Sequence, residues 1–112
     1  MDNDCIFCKI AAGEFNTEFI VETEDYVSFK DLNPQAPVHA LVIPKKHFVS
    51  INEIEDTELL GKLFQGARQT AEKLGVGDGH RLVVNTGEKG GQTVFHMHIH
   101  VLGGRNMQWP PG

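Results

Sequence analysis

Seven consecutive residues near the end of the chain, His96-Met97-His98-Ile99-His100-Val101-Leu102, alternate imidazole with aliphatic side chains. A period of two belongs to a strand, so His96, His98 and His100 share one face at steps of roughly 6.6–7 Å, with Met97, Ile99 and Val101 on the other. The aliphatic face must pack on a core. The imidazole face has no value as packing, and two functions fit it. Neutral imidazole is the commonest protein ligand for zinc, and two rings two residues apart on a strand reach one ion. Alternatively, one ring attacks phosphorus while its neighbours hold the oxygens. An unperturbed pKa near ~6.5 leaves much of such a ring neutral at pH 7, and in-line displacement mainly needs positioning and charge stabilisation. Spacing alone does not choose between them.

The rest of the chain predicts a frame for that strand. A short amphipathic helix covers Cys5 to Ala12, with Gly13 as its stop. Strands follow at Phe19 to Thr23, Tyr26 to Lys30 and His39 to Pro44, and Asp31 to Pro37, with two prolines, is a shaped loop. Leu59, Leu60, Leu63, Phe64, Ala67, Ala71 and Leu74 form the stripe of one long helix. Glu53, Glu55, Asp56 and Glu58 lie at its start, Arg68 and Lys73 toward its end, and Gly75 terminates it. Strands at Arg81 to Asn85 and Val94 to Leu102 flank the glycine-rich Thr86 to Gln92. Together these predict an α+β fold: a five-stranded, mainly antiparallel sheet with one long and one short helix. The tail, residues 103–112, ends in Trp109-Pro110-Pro111-Gly112, where the prolines bar regular structure and the indole needs a surface to dock on.

Size and charge narrow the partners. At 112 residues the chain reads as one domain, residues 1–112. Ten Lys and Arg against 15 Asp and Glu give a formal net charge of −5, which argues against nucleic acid as a partner. No run approaches the ~20 apolar residues of a membrane span. Met1-Asp2-Asn3-Asp4 is acidic where a secretory signal is basic, and two cysteines make no disulfide framework. A cytoplasmic location is the expectation.

The alternating-histidine segment is similar to the signature of the histidine triad (HIT) superfamily. Phe29-Lys30-Asp31-Leu32, Pro34-Gln35-Ala36-Pro37-Val38-His39, Leu41-Val42-Ile43-Pro44-Lys45-Lys46-His47, Val83-Val84-Asn85, Gly90-Gly91-Gln92-Thr93 and the closing Trp-Pro-Pro-Gly extend the likeness. They resemble the Hint branch of nucleoside phosphoramidases, from about Cys5 to Gly112. The resemblance implies a homodimer that hydrolyses purine nucleoside 5′-phosphoramidates (AMP or GMP derivatives) to the monophosphate and an amine, with no cofactor for catalysis. His98 is then the nucleophile, forming a covalent nucleotidyl-histidine. His96 and His100 contact phosphate oxygens or fix the ring, and His39 supports it through hydrogen bonds. Asn85 and the N–H groups of Gly91 and Thr93 become phosphate contacts, Thr93 standing where the branch usually has serine. Asp31 becomes the ribose carboxylate, since a carboxylate accepts from both hydroxyls. Ile6, Phe7, Ile10, Phe29 and Leu32 line the base pocket, and Trp109 reaches the partner subunit's site. Within the superfamily the near alternative is a dinucleoside polyphosphate hydrolase. Outside it are a nucleotide-binding interaction protein with incidental hydrolysis and a zinc-dependent hydrolase built on the histidine strand.

Cys5-Ile6-Phe7-Cys8 has the spacing of a redox pair but no preceding strand to build the usual βαβ setting. Some bacterial triad proteins pair such cysteines with two histidines around structural zinc, and the matching candidates here are His47 and His96. Two free buried thiols are the alternative. The glycine-rich stretch lacks P-loop order, although glycines let backbone N–H groups approach an oxyanion. His80, after the turn signal Gly77-Asp78-Gly79, is expected in solvent without a role, and Lys45-Lys46 in a solvated loop.

Overall fold

The computed structural model describes residues 4–112; the acidic Met1-Asp2-Asn3 lies outside the described residues. Helix α1 spans Ile6–Ala11, and strands follow as β1 (Val21–Glu22), β2 (Tyr26–Lys30) and β3 (Val38–Pro44). A single 3₁₀ turn, Ile51–Glu53, leads to the long helix α2 (Thr57–Lys73), and β4 (His80–Val83) and β5 (Ile99–Gly103) complete the chain. The sheet order is β1-β2-β3-β5-β4, with every neighbouring pair antiparallel. The predicted α+β fold is the observed one. Among the described residues no helix is long and apolar enough to cross a membrane.

Helix α2 forms where the apolar stripe and its caps agree. The Asp56 carboxylate accepts from the N–H groups of Glu58 and Leu59 at 3.0 and 3.3 Å, filling two of the helix's unpaired donors. At the other end Gly75 adopts φ +78°, so that Val76 N–H reaches back to Ala71 and Gly75 N–H to Glu72, a Schellman closure. Leu63, Ala67 and Ala71 are fully buried against Ala40, Val42, Met97, Ile99 and Val101. Gly66 allows that approach, because a Cβ there would run into the Tyr26 ring. The buried hydroxyls of Thr70 on α2 and Ser28 on the sheet lie 2.8 Å apart, with the Gly66 carbonyl 2.7 Å from Thr70 and Val21 N–H donating to Ser28 at 3.1 Å.

The opposite face of the sheet is only partly covered. A smaller core forms where Cys5 and the α1 residues Phe7 and Cys8 meet Val27, Phe29, Leu41 and Ile43 of the sheet.

Several edges differ from expectation. β1 is two residues long, although Ile20 N–H still donates to Ser28 at 2.7 Å. β4 starts earlier, at His80, which is half-buried and bonded through Nδ1 to the Val76 carbonyl at 2.9 Å; the turn brings the ring back onto its own loop instead of into solvent. Lys45 lies 3.7 Å from Glu22, and Lys46 stands over the Phe48 ring, both in the expected loop. The histidine strand also begins late: pairing with β3 runs only from Ile99 onward. Beyond that point the Pro44 carbonyl takes the His96 imidazole and the Phe48 carbonyl takes Met97 N–H, at 2.8 and 2.7 Å. The ladder stops, but the alternation of side chains continues.

Candidate active site and an adjoining Cys2His2 centre

Residues 93–98 need support because they have no strand neighbour. Gln92, almost wholly buried, supplies part of it: its side-chain amide donates to the carbonyls of Val49 and Val94 at 2.6 and 3.1 Å and accepts from Gly87 N–H at 2.9 Å. The glycine loop is thereby closed on itself. Gly91, at φ +88°, makes the turn back, a conformation that favours glycine.

With that support, His96, His98 and His100 all face away from α2. The tautomers follow from their partners. His98 Nδ1–H donates to the His96 carbonyl at 2.7 Å, so in the neutral ring Nε2 keeps its lone pair. Gln35 N–H donates to His39 Nδ1 at 3.0 Å, so the proton of a neutral His39 is on Nε2. That atom is 2.9 Å from His100 Nδ1 and 3.4 Å from an Asp31 carboxylate oxygen. His100 then carries its own proton on Nε2, which is buried and has no partner among the described residues. A buried donor without an acceptor is unfavourable unless a ligand supplies one.

Burial keeps these rings uncharged. His98 is lowered from 6.5 by desolvation, against its bond to the His96 carbonyl and the Asp31 charge. His100 is lowered to about 4, chiefly by burial and then by His98 and His39. Burial also lowers His39, and the Asp31 carboxylate opposes it. At pH 7 the site therefore presents a neutral Nε2 lone pair on His98 next to an N–H donor on His100, their ring centroids 4.9 Å apart.

A cavity of about 460 Å³ opens in front of them, within the range of small-molecule sites. Ile6, Phe7, Ile10, Phe29 and Leu41 make its apolar end; Asp31, His39, His98, His100, Asn85, Gly91 and Thr93 make its polar end. Phe7 meets Phe29 and His98 edge-on, at centroid distances of 6.0 and 5.1 Å, which fixes the wall next to the ring. The residues expected in the site line this cavity except Trp109 and His96. His96 is fully buried, so it touches no phosphate oxygen and acts on the neighbouring ring only through its carbonyl. Leu32 lines the cavity from the rim, where it is fully exposed. Gly91 lines the cavity, but its N–H already donates to the Glu88 carbonyl at 3.0 Å, so of the two expected N–H contacts Thr93 is the one left available. Trp109 does not line it; the residue is 81 % exposed, although the Gln108 carbonyl beside it accepts from the Arg81 guanidinium at 2.9 Å. The sequence reading missed Leu41, Asn33, Gln35 and Val94 in the wall. Leu41, two residues after His39 on β3, was available from period two; Gln35 acts through its backbone, which no side-chain pattern reveals.

At the far end of the same histidine segment is a second cluster. His96 is fully buried and directs Nε2–H to the Pro44 carbonyl, leaving Nδ1 as an acceptor. Burial lowers its pKa to about 4. That Nδ1 lies 3.2 Å from Cys5 Sγ, 3.5 Å from Cys8 Sγ and 3.3 Å from His47 Nδ1, and Cys8 Sγ is 3.4 Å from His47 Nδ1. Metal bonds of ~2.3 Å to sulfur and ~2.05 Å to nitrogen at tetrahedral angles place ligands about 3.3 Å apart for N···N and about 3.5 Å for S···N. Two thiols and two imidazoles in this arrangement fit one zinc-type ion, with the Pro44 bond holding His96 in the ligating tautomer.

Fold and site together define a small antiparallel-sheet protein in which two of the alternating imidazoles, His98 and His100, face a cavity and the third, His96, belongs to a Cys2His2 cluster. The HIT domain matches residues 12–107, and the chain belongs to that family. An uncharacterized HIT-like protein of Synechocystis sp. is 49 % identical over 114 residues, the whole of both chains. Among solved structures, a HIT family hydrolase from Legionella pneumophila is 46 % identical, with a TM-score of 0.91 over 97 % of this chain and 100 % of that one. The histidine triad nucleotide-binding protein from Candida albicans is 31 % identical, with a TM-score of 0.81 over 88 % and 73 % of the two chains.

Proposed function

We propose that the protein is a hydrolase of the Hint type, cleaving purine nucleoside 5′-phosphoramidates to the nucleoside monophosphate and an amine. The observation that carries this reading is the state of His98: a buried neutral ring, its Nδ1–H tied to the His96 carbonyl, its Nε2 left as a nucleophile at the cavity wall. His98 Nε2 attacks phosphorus and the P–N bond breaks. The departing amine takes a proton from solvent. Water then cleaves the bond between ring and phosphorus, returning that proton and a neutral His98. His100 Nε2–H, otherwise without an acceptor, donates to a phosphoryl oxygen, and Thr93 and Asn85 add donors at the same end. Asp31 accepts from the ribose hydroxyls, and the purine lies between Ile6, Phe7, Ile10 and Phe29. A homodimer, with Trp109 reaching the partner subunit's site, gives the exposed indole a surface. The match to a nucleotide-binding triad protein and a HIT family hydrolase supports the reading.

Cys5, Cys8, His47 and His96 would hold a structural zinc ion, with no role in the chemical step. When bound it would cross-link α1 to the sheet and so fix the Phe7 wall.

Steady-state hydrolysis of adenosine 5′-phosphoramidate tests the proposal. Turnover above roughly 1 s⁻¹, exceeding that of a dinucleoside polyphosphate under the same conditions, is expected. A preference for the dinucleotide would assign the chain to the other hydrolase class, and the absence of turnover on both would leave a binding protein.

A further inference from the structure

One proton in the site, on His39 Nε2, lies next to both His100 and the Asp31 carboxylate. Because Gln35 N–H occupies His39 Nδ1, a neutral His39 has a single proton, on Nε2. It bonds to His100 Nδ1 at 2.9 Å, and an Asp31 carboxylate oxygen, not hydrogen-bonded to the ring, stands 3.4 Å away as a second acceptor close by. The other Asp31 oxygen already accepts Asn33 N–H at 2.8 Å. His39 and His100 have little freedom to move apart, being buried or half-buried on adjacent strands, with His39 opposite Leu102 and His100 opposite Leu41.

We infer that the substrate's ribose hydroxyls set the hydrogen bond from His39 to His100, and through it the catalytic donor, by occupying the Asp31 carboxylate that otherwise competes for the His39 proton. This deepens the proposed function and rests on its reading of Asp31 as the sugar's carboxylate. When two hydroxyls donate to Asp31, its pull on His39 Nε2–H falls. The proton then goes to His100 Nδ1, which fixes that ring with Nε2–H aimed at the phosphoryl oxygen. Without the hydroxyls the carboxylate draws on the same proton, and His100 is held less firmly. No bond to carbon, phosphorus or oxygen changes; a single proton is distributed between two acceptors. Sugar recognition thus acts on the rate of the phosphoryl step as well as on binding. His39 is a positioning residue in this scheme.

Single-turnover kinetics with adenosine and 2′,3′-dideoxyadenosine 5′-phosphoramidates, each titrated up to saturation, test this on the unaltered protein. The dideoxy substrate is expected to react about tenfold more slowly at saturation, a partial loss of one oxyanion donor. His39→Ala, lacking the shared proton, is expected to treat the two sugars alike. If only the half-saturation concentration rises, the inference is overturned while Asp31 keeps its place as the sugar's carboxylate. If neither quantity changes, both fall. A rate difference that persists undiminished in His39→Ala also overturns the inference, since the hydroxyls then act by another route. Should His39→Ala not fold, the wild-type arm decides alone. No reaction with either substrate counts against the inference and the proposed function together.

Discussion

The two ends of the histidine segment use the same residue type, on the same face of the sheet, for opposite purposes. At one end His96 Nδ1 converges with two sulfurs and another nitrogen, and its remaining N–H is bound to Pro44. Every polar atom of that ring has a partner, and there is no open position for a substrate. Four residues on, His100 has one nitrogen bonded to His39 and the other buried without a partner among the described residues. Closed ligand sets hold structure and open ones do chemistry. Between them His98 takes from the closed end a backbone carbonyl that fixes its tautomer, and gives to the open end its lone pair. What distinguishes a structural from a reactive imidazole here is the number of unfilled positions around it, since burial lowers both His96 and His100 to about 4.

That contrast is broken most directly by His98→Ala. Turnover should drop by at least about a thousandfold, roughly 4 kcal/mol of transition-state stabilisation, while nucleotide binding by calorimetry and the thermal midpoint hold. A variant with turnover within tenfold of the parent would show that the open end works without this ring.

The closed end should answer to metal instead. Elemental analysis is expected to find about one zinc per chain. At a free zinc concentration near 100 times Kd, removing the ion should cost about 2.7 kcal/mol, a fall in melting temperature on the order of 10 °C. Cys8→Ser should melt at the chelated protein's temperature with or without zinc. A melting temperature indifferent to chelation, in protein shown to contain zinc, would contradict the structural role.

How much of this difference could be read from the chain depends on what carries it. Side-chain direction was legible, because period two survives even where the ladder does not: Met97, Ile99 and Val101 are in the α2 core although Met97 lies outside β5. The start of β5 was not, since it is set by where the Pro44 and Phe48 carbonyls go, and those belong to a segment some fifty residues away. Much of the lining was named from likeness to a family more than from periodicity, and Leu41, Asn33, Gln35 and Val94 were not. Tautomers were beyond reach, because they depend on backbone donors such as Gln35 N–H. Trp109 illustrates the remaining gap: the aromatic suggested a docking surface, and the residue is exposed.

A smaller effect sharpens the comparison through pH. Burial holds His98 below 6.5, so activity should persist as pH falls through 6.5 and be lost only at more acid pH, when the ring protonates and its lone pair is gone. The Asp31 charge raises His39, His98 and His100. Asp31→Asn should therefore move the acid limb of kcat/KM to lower pH, by a fraction of a unit. A shift to higher pH would mean that the carboxylate does not act on these rings as a charge.

The covalent step is the claim on which the rest stands. Mixing enzyme with labelled adenosine phosphoramidate, quenching within milliseconds and mapping the modified peptide by mass spectrometry tests it directly. The account predicts an adenylyl group on His98, absent from His98→Ala. Products accumulating at the full rate with no adduct at any time point would contradict it.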